Sequence, residues 1–400
     1  MSEGGPAKIS SRSRAGASVV VALILAAVAA VPTAPAALYG TYEHVDGFPT
    51  AMVTVVFSTG IVGVLLGMFV LGHVSDLTGR KRMLLVAVLI QLLALVVYAI
   101  SPGLGVLLVA RVISGLGAGI AVPTATAYIL DLLDDPKAPE GARRAAILAT
   151  AANLGGFALG PVICGLFAEF APRPLSTTYI VLFVVLAVTI IPLLRLPETR
   201  ERQPLTRAAF VPRFRVSAEH RAAVLAAGFA AFAGYAVIGL FGALAPVILR
   251  EVFDQTDKLA GAALVGGVFG AAALTQVLLF AAPRRLQPAL GLTGVLIGLV
   301  LTTIGVLGAV ELCFILGGVI AGGGAGLLAR AGVATVARVD PEAVSTFFVI
   351  AFLGFALPVV LVGLATLAFP IELVVPVFAV LVAALATITA LRLLREAGAD

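Results

Sequence analysis

Long apolar runs dominate this sequence and decide which folds are open to it. A helix that crosses a bilayer needs about 20 mostly apolar residues, because each residue advances it by about 1.5 Å. Runs of this kind occur twelve times, so the sequence predicts an all-α membrane protein with twelve transmembrane helices. The boundary between the ninth and tenth depends on Glu311 alone. The predicted spans are 16–38, 49–71, 83–101, 104–130, 145–169, 177–194, 221–249, 259–281, 289–308, 310–334, 343–368 and 371–391.

Composition supports a membrane protein and argues against a soluble enzyme. Of the 400 residues, 61% are hydrophobic and 12% are charged. Soluble domains are about 45–50% apolar and about 25% charged. The two cysteines and three histidines are scattered, so they form neither a disulfide framework nor a metal-ligand spacing. With no catalytic triad, Walker loop or dinucleotide fingerprint, we expect no enzymatic activity, no metal and no cofactor.

Positive charge is distributed unevenly between the loops. Lys and Arg collect on alternate loops, as in the cytoplasmic loops of membrane proteins, so both termini are expected in the cytoplasm. This distribution accounts for the net charge of +5 without nucleic acid, and we expect a multi-pass protein of the plasma membrane. The first run and the Ala34–Ala37 segment resemble a secretory signal, but the run is long enough to be retained as span 1. The exceptions among the 26 basic residues are Arg111, Arg173, Arg250 and Lys258.

A polar, proline-containing segment divides the chain near its middle. We predict a six-helix half over residues 1–195, a cytoplasmic linker over 196–220 and a second half over 221–400. Two short repeats support a duplication: GFALGPVICG in span 5 resembles GFALPVVLVG in span 11, and GLGAG in span 4 resembles GGGAG in span 10. Two such halves predict a transporter with its binding site between them.

The charged stretch GHVSDLTGRKR, residues 72–82, interrupts two apolar runs. It resembles the loop between spans 2 and 3 of the major facilitator superfamily, Gly-x-Leu-Ala-Asp-x-x-Gly-Arg-Lys/Arg. The resemblance implies a loop that latches the two halves on the cytoplasmic side, against the start of span 11. The residues carried over to this role are Gly72, Asp76, Gly79, Arg80, Lys81 and Arg82. The alternative is an ordinary positive-inside loop.

Two further segments resemble the twelve-helix drug:proton antiporter branch of that superfamily. Span 5 matches Gly-x-x-x-Gly-Pro-x-x-Gly-Gly at four positions, with Cys164 in place of one glycine, and span 1 matches a weaker pattern at Leu25, Pro32 and Pro35. The matching span 5 residues are Gly156, Gly160, Pro161 and Gly165.

Arg111 lies in RVISGLGAG of span 4, which is similar to the superfamily pattern Arg-x-x-x-Gly-x-Gly. A charged residue inside a membrane is costly, so it usually has a function or a partner. The resemblance implies a fixed charge that gates protonation or binds an anionic group. A structural arginine that hydrogen-bonds helix carbonyls or snorkels outward is the alternative.

Polar residues inside the other spans are few. Each candidate for a central cavity is as suited to a hydrogen bond between helices as to contact with substrate. No carboxylate lies in the middle of a span, and Asp46 and Glu311 are the candidates for a proton site. The cavity candidates are Thr33, Thr124, Asn153, Tyr235, Thr275 and Gln276.

These observations predict a monomeric secondary transporter that works by alternating access between its two halves. The antiporter-like motif favours proton-coupled efflux of small apolar molecules. The lack of mid-span acids favours the alternative, uptake or facilitated diffusion of a small metabolite by the same fold. A receptor or scaffold without transport is less favoured, because the loops are short.

Overall fold

The computed structural model describes residues 11–71, 74–133, 139–201, 203–204 and 216–396. Within these ranges all regular structure is helical, and twelve helices are long and apolar enough to cross a membrane. The predicted number of spans is therefore confirmed, including the separation of spans 9 and 10 at Ala309 and Val310. The spans are Arg14–Glu43, Thr50–Phe69, Arg80–Ile100, Leu104–Leu132, Glu140–Phe170, Pro174–Arg195, Arg221–Phe253, Lys258–Leu278, Leu286–Gly308, Glu311–Val339, Val344–Ala365 and Ile371–Glu396.

Span 1 changes helical type near its end, for reasons visible in its sequence. An α-helix over Ser11–Thr33 gives way to a 3-10 helix over Ala34–Leu38 and then to an α-helix over Tyr39–Asp46. Proline cannot donate a backbone hydrogen bond, so Pro32 and Pro35 interrupt the regular ladder. Span 2 ends in a π-helical turn over Gly67–Leu71, and a short helix over Val74–Thr78 follows it. A 3-10 turn over Pro341–Ala343 precedes span 11.

Small residues allow the helices to pack closely within each set of six spans. Span 1 packs on spans 4 and 5, and span 4 also packs on spans 2 and 3. In the second set, span 7 is central and contacts spans 10, 11 and 12. A side-chain carbon added at Gly63 or Gly115 would collide with the backbone of the facing helix. Glycine at these positions therefore sets the distance between spans 2 and 4.

Two pairs of spans form the most extensive contacts between the first six helices and the last six. Span 5 packs on span 8, and span 2 packs on span 11. Many large apolar side chains on the outer surface of the bundle are exposed, including Leu23, Val380 and Leu381. Such a surface suits lipid rather than water.

Successive spans run in opposite directions, so alternate helix ends share one face of the bundle. The face that holds most of the Lys and Arg residues is named the basic face, and the other is the opposite face. The basic face contains the helix ends at Thr78, Leu132, Arg195, Leu278, Val339 and Glu396.

Candidate functional site

A cavity lies between the first six and the last six spans. Its volume is about 640 Å³, within the range of about 300–1,000 Å³ that small-molecule sites occupy. Its wall is mostly apolar and reaches Leu130 and Ala142, near the helix ends at the basic face. At the other end the wall includes Arg111 and Pro32. The cavity therefore extends from the interior of the bundle towards the basic face.

Contacts between the two sets of spans close the opposite face. Arg250 of span 7 pairs with Glu43 of span 1 at 3.3 Å. Glu169 at the end of span 5 accepts a hydrogen bond from the backbone N–H of Lys258 at 3.2 Å. Deeper in the bundle, Ser58 donates to a carbonyl of span 11 at 3.2 Å. These contacts give the cavity one closed end, as alternating access requires of an inward- or outward-facing state.

Arg111 is buried and donates to three backbone carbonyls. Nε donates to Val56 O at 3.0 Å, Nη2 donates to Phe57 O at 2.9 Å, and Nη1 donates to Pro32 O. In a 3-10 turn, the carbonyl of Pro32 would accept from the backbone nitrogen of Pro35, three residues later. The nitrogen of Pro35 carries no hydrogen, so the Pro32 carbonyl lacks that donor. These hydrogen bonds are the ones expected of a structural arginine that binds helix carbonyls, which was the alternative to a role in binding or gating. Arg111 also lines the cavity, so a role in binding remains a prediction.

The predicted cavity residues divide into two groups. Thr33, Asn153, Tyr235 and Gln276 line the cavity. Among them, the side-chain oxygen of Asn153 is buried without a hydrogen-bond partner in the described part of the chain.

Thr124 and Thr275 are not among the described lining residues. The Thr124 hydroxyl is buried and unpartnered within the described ranges. Thr275 donates to Gly323 O of span 10 at 2.9 Å, the helix-to-helix role that was its alternative.

Arg330 is a cavity residue that the sequence analysis did not select. Its guanidinium stacks on the Phe280 ring, with the guanidinium carbon 3.6 Å from the ring centroid, and donates to Phe280 O at 3.0 Å. The predicted span 10 ended at residue 334, and Arg330 was counted among the basic residues on the cytoplasmic side. The helix continues to Val339, so the backbone of Arg330 is nine residues, or about 13 Å, inside it. Its guanidinium points back to Phe280, which follows the end of span 8 at the basic face. The signal for a longer span was the mostly apolar sequence from residue 331 to residue 337, which is followed by Arg338 and, at the end of the helix, by Asp340 and Pro341.

Neither candidate proton site lies in the cavity. Asp46 accepts a hydrogen bond from the backbone N–H of Leu104 at 2.7 Å, at the start of span 4. Glu311 is the first residue of span 10. Both are at the opposite face, and the described cavity wall contains no carboxylate. Their assignment as proton sites therefore has no support from position.

The charged loop bonds to its own set of spans. Asp76 pairs with Arg80, and Arg80 Nε lies 3.4 Å from Asp131 of span 4. Lys81 donates to Leu194 O at 2.7 Å. Gly72 lies outside the described residues. Within the described part of the chain, no hydrogen bond or ion pair joins Asp76 to span 11, so the predicted latch is not formed in this state.

A carboxylate after span 6 completes this network. Glu198 accepts the backbone N–H groups of Lys81 and Arg82. Gly79 has φ of 106°, a conformation that favours glycine, and a side chain there would meet Glu198. Arg200 donates twice to Asp131, at 3.1 and 3.0 Å, and this hydrogen bonding raises the pKa of Arg200. The loop is thus fastened to the segment that leaves span 6.

The span 5 motif has a packing role in this structure. A side-chain carbon at Gly156 or Gly160 would meet the backbone of span 1, at Ala26 O and Ala30 O respectively. Gly165 instead faces Ala262 of span 8, across the two sets of spans. Pro161 lies within the same helix.

Comparisons with known proteins agree with this architecture. Solved structures of the nucleoside transporter NupG and of the human organic anion transporter MFSD10 (TETRAN) superpose with TM-scores of 0.69 and 0.67. Each alignment covers 96% of this chain and 99% or 100% of the other. Identities of 12% and 16% show a shared fold alone.

Sequence relatives are similar over a shorter stretch. The chain is 34% identical over 84 residues to the D-xylose-proton symporter-like 2 of Arabidopsis thaliana, which is 21% of this chain and 17% of the relative. It is 33% identical over 76 residues to the arabinose-proton symporter of Bacillus subtilis (strain 168), which is 19% of this chain and 16% of the relative. The matched stretch is therefore less than a fifth of each relative.

A family model covers most of the chain. Residues 15–328 match the model of the Major Facilitator Superfamily, a range that includes the charged loop, Arg111 and the span 5 motif. Together with twelve spans and a cavity between two sets of six, this match shows that the chain belongs to the major facilitator superfamily of membrane transporters.

Proposed function

We propose that this transporter moves a small neutral or anionic metabolite by alternating access, either as uptake or as facilitated diffusion. The observation that carries the proposal is the cavity between the two sets of spans, closed at the opposite face. The charged side chains of its described wall are Arg111 and Arg330. The division into halves at residues 195 and 221, a monomeric state and residence in the plasma membrane belong to the same proposal.

We prefer uptake to efflux because the sequence relatives are named as proton symporters. These relatives are named as D-xylose-proton and arabinose-proton symporters. The names support a small metabolite as substrate and a proton as coupling partner. The efflux interpretation has the span 5 motif and the weaker span 1 pattern in its favour, and the span 5 motif packs against spans 1 and 8. Facilitated diffusion is the second candidate, because the described cavity wall contains no carboxylate to carry a proton.

Purified full-length protein in liposomes tests the proposal. Labelled D-xylose, L-arabinose, uridine, lactate and benzoate are offered with and without an inside-alkaline pH gradient. We expect at least one to enter faster than into protein-free liposomes. Accumulation above equilibrium under the gradient would indicate proton coupling, and equilibration alone would indicate facilitated diffusion.

A matched pair of variants assigns the flux to the cavity. Val122→Trp places a large side chain on the cavity wall and should abolish transport. Val380→Trp places the same side chain on the lipid-facing surface, where Val380 is 68% exposed, and should leave it unchanged. Equal flux in both variants, or export driven by a proton gradient in place of uptake, would refute the proposal.

The charges on the cavity wall also predict substrate selectivity. A cationic substrate would meet Arg111 and Arg330 and no described carboxylate, and an unpaired charge in an apolar site is costly. Permanent cations such as quaternary ammonium dyes should therefore be poor substrates. A panel matched in size and hydrophobicity but differing in charge measures this selectivity. Preferential transport of the cations would show that the wall charges do not control it.

A further inference from the structure

We infer that the substrate class of this cavity is an aromatic monocarboxylate, with its carboxylate on Arg330 and its ring against the aromatic side chains of spans 7 and 11. This inference rests on the proposed function, because it takes the cavity as the substrate site. Beyond the proposed function, the inference states which part of the ligand each wall of the cavity recognises.

Arg330 is a cation with unused hydrogen-bonding capacity. One N–H donates to Phe280 O, and Nε is buried without a partner in the described part of the chain. No ion pair joins Arg330 to a carboxylate among the described residues. Arg111, by contrast, donates to three carbonyls. A ligand carboxylate would give Arg330 a charge-assisted, planar partner that the protein does not supply.

Aromatic rings cover the wall that spans 7 and 11 contribute. Tyr235 stacks on Phe355 with ring centroids 4.3 Å apart, and Phe352 lies 5.8 Å from Tyr235 and 6.0 Å from Phe355. Phe348 continues the row, 6.0 Å from Phe352. All four rings line the cavity. A flat aromatic ligand can stack on such a surface, which a saturated ring of the same size does less well.

The two recognition elements lie on helices that face each other. Gly332 of span 10 faces the Phe347 ring of span 11, and the sequence neighbours Arg330 and Phe348 both line the cavity. A compact ligand in the cavity can therefore engage the cation and the rings together.

Aromatic walls can also hold cations, so the sign of the ligand charge needs a separate argument. Quaternary ammonium groups bind in aromatic cages through the ring faces. Such cages gain from nearby acidic groups, and the described wall of this cavity has none, whereas it has two arginines. The wall therefore favours an anion with an aromatic ring over a cation with one.

The inference can be tested without transport. Isothermal titration calorimetry measures the binding of each probe to the full chain in detergent micelles. The probes are benzoate, benzamide, cyclohexanecarboxylate and benzyltrimethylammonium, which vary charge and ring type separately. We expect benzoate to bind tightest and benzamide to bind about tenfold or more weakly, because hydrogen bonds to charged groups are the stronger ones. Equal binding of benzoate and benzamide, or tighter binding of the cation, would overturn the inference.

Variants assign each part of the ligand to its wall. Arg330→Gln should weaken benzoate binding about tenfold or more and leave benzamide unchanged. Arg330→Lys should restore part of the loss. Phe352→Leu should reduce the preference for benzoate over cyclohexanecarboxylate.

The control variants are Arg392→Gln and Phe369→Leu. Both replace exposed side chains that are not among the described lining residues, so the binding of all four probes should be unchanged. Unchanged benzoate affinity in Arg330→Gln would overturn the assignment.

The outcomes separate this inference from the proposed function. If D-xylose or another panel compound is transported but benzoate does not bind, transport stands and the aromatic carboxylate is wrong. If benzoate binds in an Arg330-dependent way but nothing crosses the liposome membrane, the binding site stands and the transport proposal fails.

Discussion

Arg111 shows how one buried charge can hold three helices together. Its side chain starts on span 4 and donates to carbonyls of spans 1 and 2. The guanidinium suits this role because its donors are spread over a rigid plane, whereas an ammonium concentrates its donors at one point. A cation in this position can stabilise the fold and still contribute a positive potential to the cavity that it lines.

The substitution Arg111→Lys separates these two roles. Lysine keeps the charge but cannot reach all three carbonyls, so we expect the free energy of unfolding to fall by about 1–3 kcal/mol and transport to be impaired. Melting temperature in micelles and flux in liposomes measure the two effects. Arg144→Lys is the control, since Arg144 is 71% exposed in an i,i+4 pair. Lost transport with unchanged stability would instead favour direct action on the substrate.

Asp131 and Asp76 share Arg80 but differ in surroundings. Asp131 is 17% exposed and accepts hydrogen bonds from Arg80, Arg200 and Thr199. Asp76 is 55% exposed and pairs with Arg80. The less exposed carboxylate with more partners should contribute more to stability.

We therefore expect Asp131→Asn to lower stability by about 1–3 kcal/mol and Asp76→Asn to lower it by less. Asp76→Asn should still weaken transport without preventing insertion, if the loop forms its latch in the other state of the cycle. Melting temperature, membrane yield and flux are compared at equal expression. Normal transport in Asp76→Asn would remove the latch hypothesis.

At the scale of helices, glycine positions control how closely spans approach. Gly156 and Gly160 of span 5 face the backbone of span 1, while their neighbour Gly155 has open space where a side chain would be. Close approach of this kind depends on the absence of a side chain on one ridge of the helix. The motif of span 5 is therefore consistent with helix packing whatever the direction of transport.

Neighbouring glycines give a matched test of this packing. Gly160→Ala should destabilise the protein by about 1–3 kcal/mol, because overpacking forces the backbones apart, and Gly160→Leu should block transport or make it leak. Gly155→Ala should be neutral or slightly stabilising, since alanine favours helix over glycine. Thermal unfolding and flux are measured for all three. Coupled, fast transport in Gly160→Leu would show that close packing there is dispensable.

For the whole molecule, the orientation of the bundle decides what the cavity is open to. The cavity extends to the basic face, and the positive-inside rule predicts that this face lies in the cytoplasm. The state described here would then be open to the cytoplasm and closed outside by contacts such as Glu43 with Arg250.

Cysteine labelling tests this orientation. The background for labelling is Cys313→Ser, and Cys164 is kept because it is fully buried. Thr256→Cys adds a cysteine on the opposite face, and Glu140→Cys adds one on the basic face. A membrane-impermeant maleimide added to intact right-side-out vesicles should label Thr256→Cys. It should label Glu140→Cys only after permeabilisation. The reverse pattern would invert the topology and place both termini outside.

The sequence alone determined the helices, because a bilayer demands long apolar segments whatever they pack against. It also predicted that Thr33, Asn153, Tyr235 and Gln276 could reach a cavity, and they line it. Only the tertiary structure decided that Thr275 bonds to span 10, that Asp46 binds the start of span 4, and that Arg330 belongs to the cavity wall. Apolar length is a property of each segment, whereas the direction in which a polar side chain points depends on which helices surround it.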